Sequence, residues 1–376
     1  MAIALSTAAA FNVRSGIFDL HCRASVTRGG MLLAENIPVT GGTEEYDASL
    51  SVPERVTVTV PRIADGVDWT PVDGATSVLG AYGQRLHVQL GVGIGPDGIE
   101  WFDRGEFLIR SADVQADRIE VEAVGLLELI DEARFVSPFQ PTGTIVSTLR
   151  ALIEPALTVM IDTSLIDRDV PTSDINFDED RLGAVLGLLD AWPAQAQVTP
   201  DGFLQVIPAG QLPAGATVVY EHNVDGRPDA RAIVITRLGG SSRDGVHNAV
   251  VARGTAVDGT QVQGVAYDTG SGAASYTGPF NPLPVPLFFE SPLLATTEQC
   301  NAAAQTILAR ERRQSYQRYD VEMVPQPDML GGDIIALADD VTAFDDLREK
   351  YGVIEAMTLP YTPSQPMRLK LRQVFP

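Results

Sequence analysis

Hydrophobic and polar residues alternate over much of the first third of the chain. Within residues 49–60, Val56, Val58 and Val60 fall on one face and the threonines between them on the other. This period of two is typical of a half-buried β-strand. The pattern predicts further strands at residues 85–92, 99–102, 106–114 and 118–124, the last two joined by a hairpin turn. Together these strands predict an antiparallel barrel or sandwich.

After about residue 135 the apolar residues take a helical spacing. The run from Ile145 to Ile153 predicts a helix, which Pro155 ends. A second helix is predicted over residues 180–191. A hairpin follows, because Thr-Pro-Asp-Gly at residues 199–202 combines a proline that presets φ with a glycine that permits a positive φ.

The last third of the chain combines turn-rich segments with one long helix. Five prolines within residues 279–292 predict a stiff connector that cannot lie in a central strand. The longest helix is predicted over residues 297–313, where Thr296 and Gln299 fit a capping box. Its predicted buried stripe consists of Cys300, Ala304, Ile307 and Leu308, so Cys300 is interpreted as a packing residue. Four strands are predicted to follow at residues 318–324, 333–338, 353–359 and 367–375.

These elements predict an α+β fold that is mainly β. A length of 376 residues is typical of two or three domains. We expect an N-terminal β-barrel-like domain over residues 1–135, and an α/β module with two helices and a hairpin over residues 136–239. A second β-barrel-like domain with the long helix is expected over residues 240–376. Discontinuous domains stay open as an alternative.

The charge balance excludes several classes of function. The chain has 27 basic and 49 acidic residues, a net charge of −22, and only two lysines. Nucleic-acid binding needs clustered cations, so no specific nucleic-acid binding is expected. No apolar run reaches the ~18 residues of a membrane span, and the apolar N-terminus lacks the cation that precedes a signal sequence. Two cysteines, Cys22 and Cys300, form no disulfide framework, which favours assembly in a reducing cytoplasm.

The motifs that resemble catalytic sites have simpler interpretations. Residues 93–98 match GxGxxG, but a strand rather than a helix is predicted after them, which favours a hairpin loop over a dinucleotide site. Ser241, Ser242, Asp244 and His247 lie too close together for a hydrolytic triad, whose members come from separate segments.

The sequence contains equally weak indications of metal binding and of acid–base catalysis. The four histidines are scattered and no CxxC spacing exists, so no zinc site is predicted. The acidic run at residues 178–180 is interpreted as the start of a helix, and the pairs at 339–340 and 345–346 as a loop. We therefore expect no catalytic residue, no cofactor and no metal ligand, and expect a non-enzymatic protein.

The order of the segments resembles a known family. A helix "FDEDRLGAVLGLLDAW" leads into "QVTPDGFLQVIP", followed by "HNAVVARG", a proline-rich stretch, "ATTEQCNAAAQTILARE" and "YDVEMVPQPDMLGGDIIAL". This series is similar to the tail hub proteins of tailed bacteriophages, which include baseplate-hub and tail-tip proteins. The resemblance covers most of the chain and includes no catalytic signature.

The resemblance implies a structural virion protein, a minor tail protein at the tail tip that is assembled in the host cytoplasm. It implies a homotrimer in which two β-barrel domains per subunit form a pseudo-sixfold ring with a channel for DNA ejection. The implied partners are the distal tail protein ring, the tape measure protein, and a central fibre, spike or receptor-binding protein. Any cell-wall hydrolase or central spike is expected on a separate protein.

Three alternatives stay open. A distal tail protein would be hexameric, a receptor- or glycan-binding module would bind sugars, and an enzyme would lose activity on substitution of one of the residues above.

Acidic residues are expected along the channel, because they repel the DNA phosphates. Arginines outnumber lysines 25 to 2 and are expected at interfaces. The candidates are Arg310, Arg312 and Arg313 at the end of the long helix, with a solvated helix end as the alternative.

Overall fold

The computed structural model describes most of the chain and has a mainly β, α+β fold, as predicted. The described residues are 3, 5–16, 18–95, 98–170, 175–209, 234–241, 243, 245–270, 274–313, 317–337 and 350–374. The predicted acidic loop at residues 339–340 and 345–346, together with Ser242 and Asp244, lies outside these ranges.

One helix and nine strands are present where the structure describes the N-terminal third. They are α1 (Thr7–Ser15), β1 (Leu20–Arg28), β2 (Met31–Pro38), β3 (Gly41–Asp47), β4 (Glu54–Pro61), β5 (Ile63–Ala64), β6 (Val67–Asp68), β7 (Gln84–Gly93), β8 (Ile99–Val114) and β9 (Arg118–Gly125). The β8–β9 hairpin was predicted, and its turn closes where Gln115 N donates to Arg118 O. The strands predicted at 99–102 and 106–114 are one strand, β8, because a bulge at Arg104 shifts its pairing without ending it.

The middle of the chain forms three helices around a three-stranded sheet. The elements are α2 (Glu128–Asp131), α3 (Ile145–Ile153), β10 (Val159–Ile161), α4 (Arg181–Ala191), β11 (Ala194–Val198) and β12 (Leu204–Pro208). Asp180 caps α4 by accepting a hydrogen bond from Gly183 N at 2.8 Å, so the acidic run at residues 178–180 lies at a helix start, as predicted. The predicted β11–β12 hairpin is present, and β10 pairs with β12 in parallel.

The described residues of the C-terminal part form the long helix and eight strands. They are β13 (Val234–Ser241), β14 (Ala249–Thr255), β15 (Gln261–Tyr267), β16 (Pro286–Glu290), α5 (Thr297–Arg313), β17 (Gln317–Met323), β18 (Ile334–Leu337), β19 (Lys350–Pro360) and β20 (Met367–Val374). Helix α5 has the predicted bounds, and Thr296 Oγ1 accepts from Gln299 N at 3.2 Å. Strand β16 lies in the proline-rich segment at a sheet edge, which agrees with the predicted exclusion from a central strand.

In the described part of the chain, twelve strands from the N-terminal and C-terminal regions share one sheet. The path runs β13-β17-β20-β19-β3-β4-β9-β8-β7-β1-β2, and β18 pairs with β19. The two sequence ends meet where β3 and β19 pair antiparallel, with Glu45 opposite Thr358. Among the described strands the path is open, since β13 and β2 stand at its ends and no closed barrel forms.

Two clusters of buried hydrophobic side chains form the core. The first combines residues of the N-terminal strands with residues of β17, β19 and β20, from Ala9 to Leu371. The second combines α2, α3, α4 and α5 with the two three-stranded sheets β10-β12-β11 and β15-β14-β16. The domain boundaries near residues 135 and 240 stay predictions.

A buried ion pair between β8 and β3 also contacts the C-terminal part of the chain. The extra residue in β8 is Arg104, which the bulge directs inward together with Phe102 and Phe107. Its guanidinium donates to both carboxylate oxygens of Glu44, at 2.9 and 2.6 Å, and to Pro327 O at 2.7 Å. Tyr361 donates to the same carboxylate at 3.2 Å. The bidentate contact satisfies two charges that burial would otherwise make costly.

Candidate assembly surface

The three arginines predicted as interface residues lie in the last turns of α5. The backbone of Arg310, Arg312 and Arg313 is helical, but their side chains lie outside the described part of the chain, so their role stays a prediction. Between them, the carboxylate of Glu311 lies 3.2 Å from His247 Nδ1. His247, one of the triad-like residues, thus contacts a helix-end carboxylate.

Helix α5 covers one face of the sheet β15-β14-β16. Val250 and Ala252 of β14 point toward the helix and are fully buried. Cys300, Ile307 and Leu308 are buried against them, which confirms the predicted packing role, and burial raises the pKa of the Cys300 thiol. Helix and sheet approach closely at Gly264, where a Cβ would lie only 2.3 Å from Asn301 N.

The opposite face of this sheet is exposed and carries aromatic residues. Strand pairing places Phe288, Val251 and Val265 in one row across the three strands. Tyr267 lies in the next row, and its ring centroid is 5.0 Å from that of Tyr276. We call these five residues and Arg253 the aromatic face. The sequence neighbours of the strand residues among them point toward α5, so the β period turns these strand side chains outward.

Arg253 is the cation of the aromatic face. Its guanidinium carbon lies 5.0 Å from the centroid of the Phe288 ring, within the range of a cation–π contact. Its Nε donates to Gln263 Oε1 at 3.2 Å, and Glu290 lies opposite it in the β14–β16 pairing. The aromatic face is therefore apolar with balanced charges at one side.

A second exposed surface combines apolar and acidic residues. The β5–β6 hairpin and the β8–β9 turn lie at one end of the large sheet, since Arg62 N donates to Asp117 O at 2.9 Å. Ile63, Val67 and Val114 are 66%, 45% and 47% exposed there. Ile63 pairs with Asp68 and Val67 with Ala64, so Ile63 and Val67 point to opposite faces of the β5–β6 hairpin. We call this group the aspartate tip, and its acidic members are Asp65, Asp68, Asp113 and Asp117. Hydrogen bonds from the Thr70 hydroxyl and backbone N–H lower the pKa of Asp68, which keeps it charged.

The motifs considered for chemistry do not assemble into a site within the described residues. Ile99 pairs with Gly93 in the β7–β8 hairpin, so a strand follows the GxGxxG match, as predicted. His21 and Cys22 are neighbours in β1 and therefore face opposite sides of the sheet. No cluster of three metal-binding side chains occurs where side chains are described. None of the described helices is long and apolar enough to cross a membrane.

The pattern of hydrophobic residues in the sequence does not reveal the aromatic face. The segment from Pro286 to Glu290 reads Pro-Leu-Phe-Phe-Glu, with four apolar residues in succession and no alternation. Only the pairing of β16 with β14 shows that Phe288 points outward while Leu287 and Phe289 pack inward. The aspartate tip was also missed, although its exposed valine and aspartates flank the predicted hairpin turn.

No family model and no curated protein matches this sequence. Its fold is similar to solved structures of tail proteins. A tail protein from Neisseria meningitidis MC58 matches with a TM-score of 0.60 at 13% identity, covering 94% of this chain and 97% of that one. The 43 kDa tail protein of prophage MuSo2 from Shewanella oneidensis matches with a TM-score of 0.53 at 12% identity, covering 94% and 98%.

The prophage tail protein gp18 from Listeria monocytogenes EGD-e matches with a TM-score of 0.52 at 11% identity, covering 93% of this chain and 94% of that one. At such low identity the similarity concerns the fold. It extends over nearly the full length of all three proteins, so it involves the whole arrangement of strands and helices rather than one module. The resemblance inferred from the order of segments is confirmed at that level: this chain has the fold of phage tail proteins.

Proposed function

We propose that this protein is a structural component of a phage tail and forms the hub ring at the distal end of the tail tube. The observation that carries the proposal is the near-complete coverage, in both directions, of tail proteins from three bacteria. A shared enzyme module would give partial coverage instead. The described residues hold no cluster of three metal-binding side chains, and the proposal includes no catalytic step.

In this proposal three copies form a closed ring that joins the tube to the tail tip. The tube side binds the distal tail protein ring and the tape measure protein, and the tip side binds a central fibre, spike or receptor-binding protein. The net charge of −22 supports a conduit role, because an acidic channel does not retain the DNA that passes through it.

The mass of the purified assembly tests the proposal. A trimer of 40.2 kDa subunits has a mass of about 121 kDa, three times the subunit mass. Mass photometry at several concentrations should show this species. A ring of six copies would support a distal tail protein instead, and a monomer at all concentrations would count against any self-assembled ring.

Location is tested separately in phage particles. Antibodies against this chain should label the distal end of the tail in electron micrographs of intact particles. Labelling along the tube, or on the capsid, would contradict the hub assignment even if the protein is trimeric.

A further inference from the structure

We propose that Ser25, His87 and Asp103 form a reactive-serine site that takes the acyl group of carboxylic esters. The three residues lie on the neighbouring strands β1, β7 and β8, on the face of the sheet that points away from the first hydrophobic cluster. The inference goes beyond the structural role proposed above and is independent of it. It departs from the expectation of a non-enzymatic protein, which was based on motifs in the sequence.

The distances among the three side chains are those of an activated serine. The Ser25 hydroxyl oxygen lies 3.4 Å from Nδ1 of His87, and His87 Nε2 lies 3.2 Å from Oδ1 of Asp103. A carboxylate only accepts hydrogen bonds, so the proton of the neutral imidazole is on Nε2 and the Nδ1 lone pair faces the hydroxyl. Nucleophile, base and orienting carboxylate come from separate segments, as in known hydrolytic triads. The contact between nucleophile and base is often loose before a substrate binds.

A hydrogen-bonded chain holds the carboxylate in place. Gln89 Nε2 donates to the same Asp103 Oδ1 at 2.6 Å, and Arg23 Nε donates to Gln89 Oε1 at 2.8 Å. The Arg23 guanidinium carbon lies 4.1 Å from the centroid of the Trp101 ring, a cation–π contact that restrains the arginine. Gln89 and Arg23 are positioning residues, because they act on the base only through Asp103.

Hydrogen-bond donors for the developing negative charge lie beside Ser25. The β1–β2 register shifts between Ala24 and Val26, which leaves Asn36 and its neighbour opposite Ser25. Asn36 has a φ of 54°, a left-handed conformation that asparagine adopts more readily than most residues. Its Oδ1 accepts a hydrogen bond from Arg23 Nη1 at 2.9 Å, so its Nδ2 can donate to a substrate oxygen. Such donors stabilise the oxyanion of a tetrahedral intermediate.

The reaction consists of two acyl transfers. In the first, the Ser25 oxygen bonds to the carbonyl carbon of the ester while its proton passes to His87 Nδ1. The bond between that carbon and the alcohol oxygen breaks, and the alcohol leaves with the proton from His87. In the second, water attacks the acyl-serine by the same route, which releases the carboxylic acid and restores the hydroxyl. The His87 and Asp103 side chains are 26% and 48% exposed, so esters carried on large molecules can reach the site.

Labelling of the purified full chain with an alkyl fluorophosphonate tests the nucleophile. The Ser25 oxygen should bond to phosphorus as fluoride leaves and the proton passes through His87 to solvent. Peptide mass spectrometry should find this adduct at least about tenfold faster on Ser25 than on Ser364, an exposed serine whose hydroxyl donates to Thr362. Ser25→Ala should abolish this adduct, and the matched control Ser364→Ala should leave its rate unchanged.

Hydrolysis of p-nitrophenyl acetate tests the base and the oxyanion donor. The chain has only two lysines, so acetylation of amines contributes little background. His87→Gln should lower the rate of p-nitrophenol release at least about 100-fold, because the general base is lost. Asn36→Gly should lower it at least about tenfold through loss of one donor. Glycine adopts a positive φ without strain, and circular dichroism spectra of all variants should match that of the wild type.

Asp103 is a positioning residue and has its own measurement. In Asp103→Asn the amide can donate to Nε2, so His87 should populate the tautomer with its proton on Nδ1. Long-range ¹H–¹⁵N NMR spectra of the imidazole distinguish the two tautomers. We expect kcat to fall about tenfold or more while KM stays within about twofold. An unchanged tautomer and an unchanged kcat would overturn the role of Asp103.

The outcomes separate this site from the proposed function. Ser25 that is labelled no faster than Ser364, or His87→Gln that reacts as fast as the wild type, overturns the reactive-serine site. Neither result affects the hub proposal, which rests on the fold of the whole chain and is tested by mass and location. A monomeric protein that is labelled at Ser25 supports the site and overturns the ring.

Discussion

At the scale of single residues, the extra residue of the bulge in β8 determines which side chains of this strand enter the core. Without the bulge at Arg104, strict alternation would turn either Phe102 or Phe107 away from the first hydrophobic cluster. With it, both rings are buried and Arg104 enters the core between them. The cost of burying a cation is offset by Glu44 and by the carbonyl of Pro327. One bulge thus both fills the core and connects distant segments.

Removal of Arg104 should be strongly destabilising. Arg104→Leu leaves Glu44 buried with its charge uncompensated, which typically costs about 3–5 kcal/mol of unfolding free energy. Urea denaturation at neutral pH measures the loss. The double variant Arg104→Leu with Glu44→Leu removes both charges and should recover most of the stability. A loss below about 1 kcal/mol in the single variant would show that water reaches the carboxylate.

A carboxylic acid near the β3–β19 junction should make stability depend on pH. Burial, and then repulsion from Glu44, raise the pKa of Glu54 to about 7 from its ordinary 4.5. Its Oε2 is inaccessible to solvent and accepts no hydrogen bond from the described part of the chain. The folded state therefore holds a proton that the unfolded state releases, so stability falls as pH rises from about 4.5 to about 7.

Glu54→Gln should remove this dependence, because the amide imitates the protonated acid. We expect equal unfolding free energies for variant and wild type near pH 4.5. At pH 8 the variant should be more stable by up to about 3 kcal/mol. Glu45→Gln, at the exposed neighbouring position in β3, is the matched control and should show no such difference. Denaturation series at the two pH values measure these unfolding free energies. A Glu54→Gln variant that is less stable than the wild type at pH 8 would refute the raised pKa of Glu54.

At the scale of elements, the packing of α5 on its sheet depends on two glycines of the sheet, which have no side chain. At Gly264 the helix backbone occupies the space that a side chain would need, and at Gly254 a Cβ would lie 1.9 Å from Leu294 O. Backbone atoms cannot rotate away as a side chain can, so the helix, and at Gly254 the segment that precedes it, would have to move. The aromatic face lies on the other side of the same strands, and its geometry therefore depends on this contact.

Gly264→Ala should destabilise the protein by about 1–3 kcal/mol through overpacking. Gly187→Ala is the control, since Gly187 lies within α4 and a Cβ added there would meet no atom within 4 Å. Alanine is the better helix former, so the control should gain up to about 1 kcal/mol. Thermal and urea unfolding of both variants test the pair. Equal effects at the two sites would show that the helix tolerates displacement.

Local signals explain which elements the sequence could predict. Helix α5 carries its own cap and its own apolar stripe within 17 residues, so its bounds were predicted correctly. Strand β3 was not predicted, because it reads Gly-Gly-Thr-Glu-Glu-Tyr-Asp and its buried Glu44 is compensated by Arg104, 60 positions away. The aromatic face was missed for the same reason: exposure of Phe288 depends on β14 and α5, not on its neighbours in sequence.

At the scale of the whole molecule, the dominant property is the negative charge. Acidic residues exceed basic ones by 22, and many basic groups among the described residues contact carboxylates or aromatic rings, as for Arg104, Arg253 and Arg368. Phosphate binding requires several adjacent free cations. We therefore expect that this molecule has no appreciable affinity for duplex DNA.

Electrophoretic mobility of a short DNA duplex tests that expectation. At about 50 mM salt, where electrostatic binding is strongest, the duplex should migrate unchanged with micromolar protein. A basic DNA-binding protein serves as the positive control in the same gel. A shift that disappears at about 200 mM salt would reveal a cationic patch and would contradict a role based on repulsion from DNA.

The single sheet that joins both ends of the sequence has a consequence for synthesis on the ribosome. Glu44 and Tyr361 are 317 positions apart, and β3 acquires its second neighbour only when β19 arrives. At 5–20 residues per second, translation of the intervening segment takes roughly 15 to 60 s. During that interval the edge of β3 has no partner strand and is exposed to neighbouring nascent chains. The first hydrophobic cluster is therefore completed only late in translation or after release from the ribosome. The yield of folded protein then depends on protection of the unpaired edge of β3, as well as on the stability of the folded state.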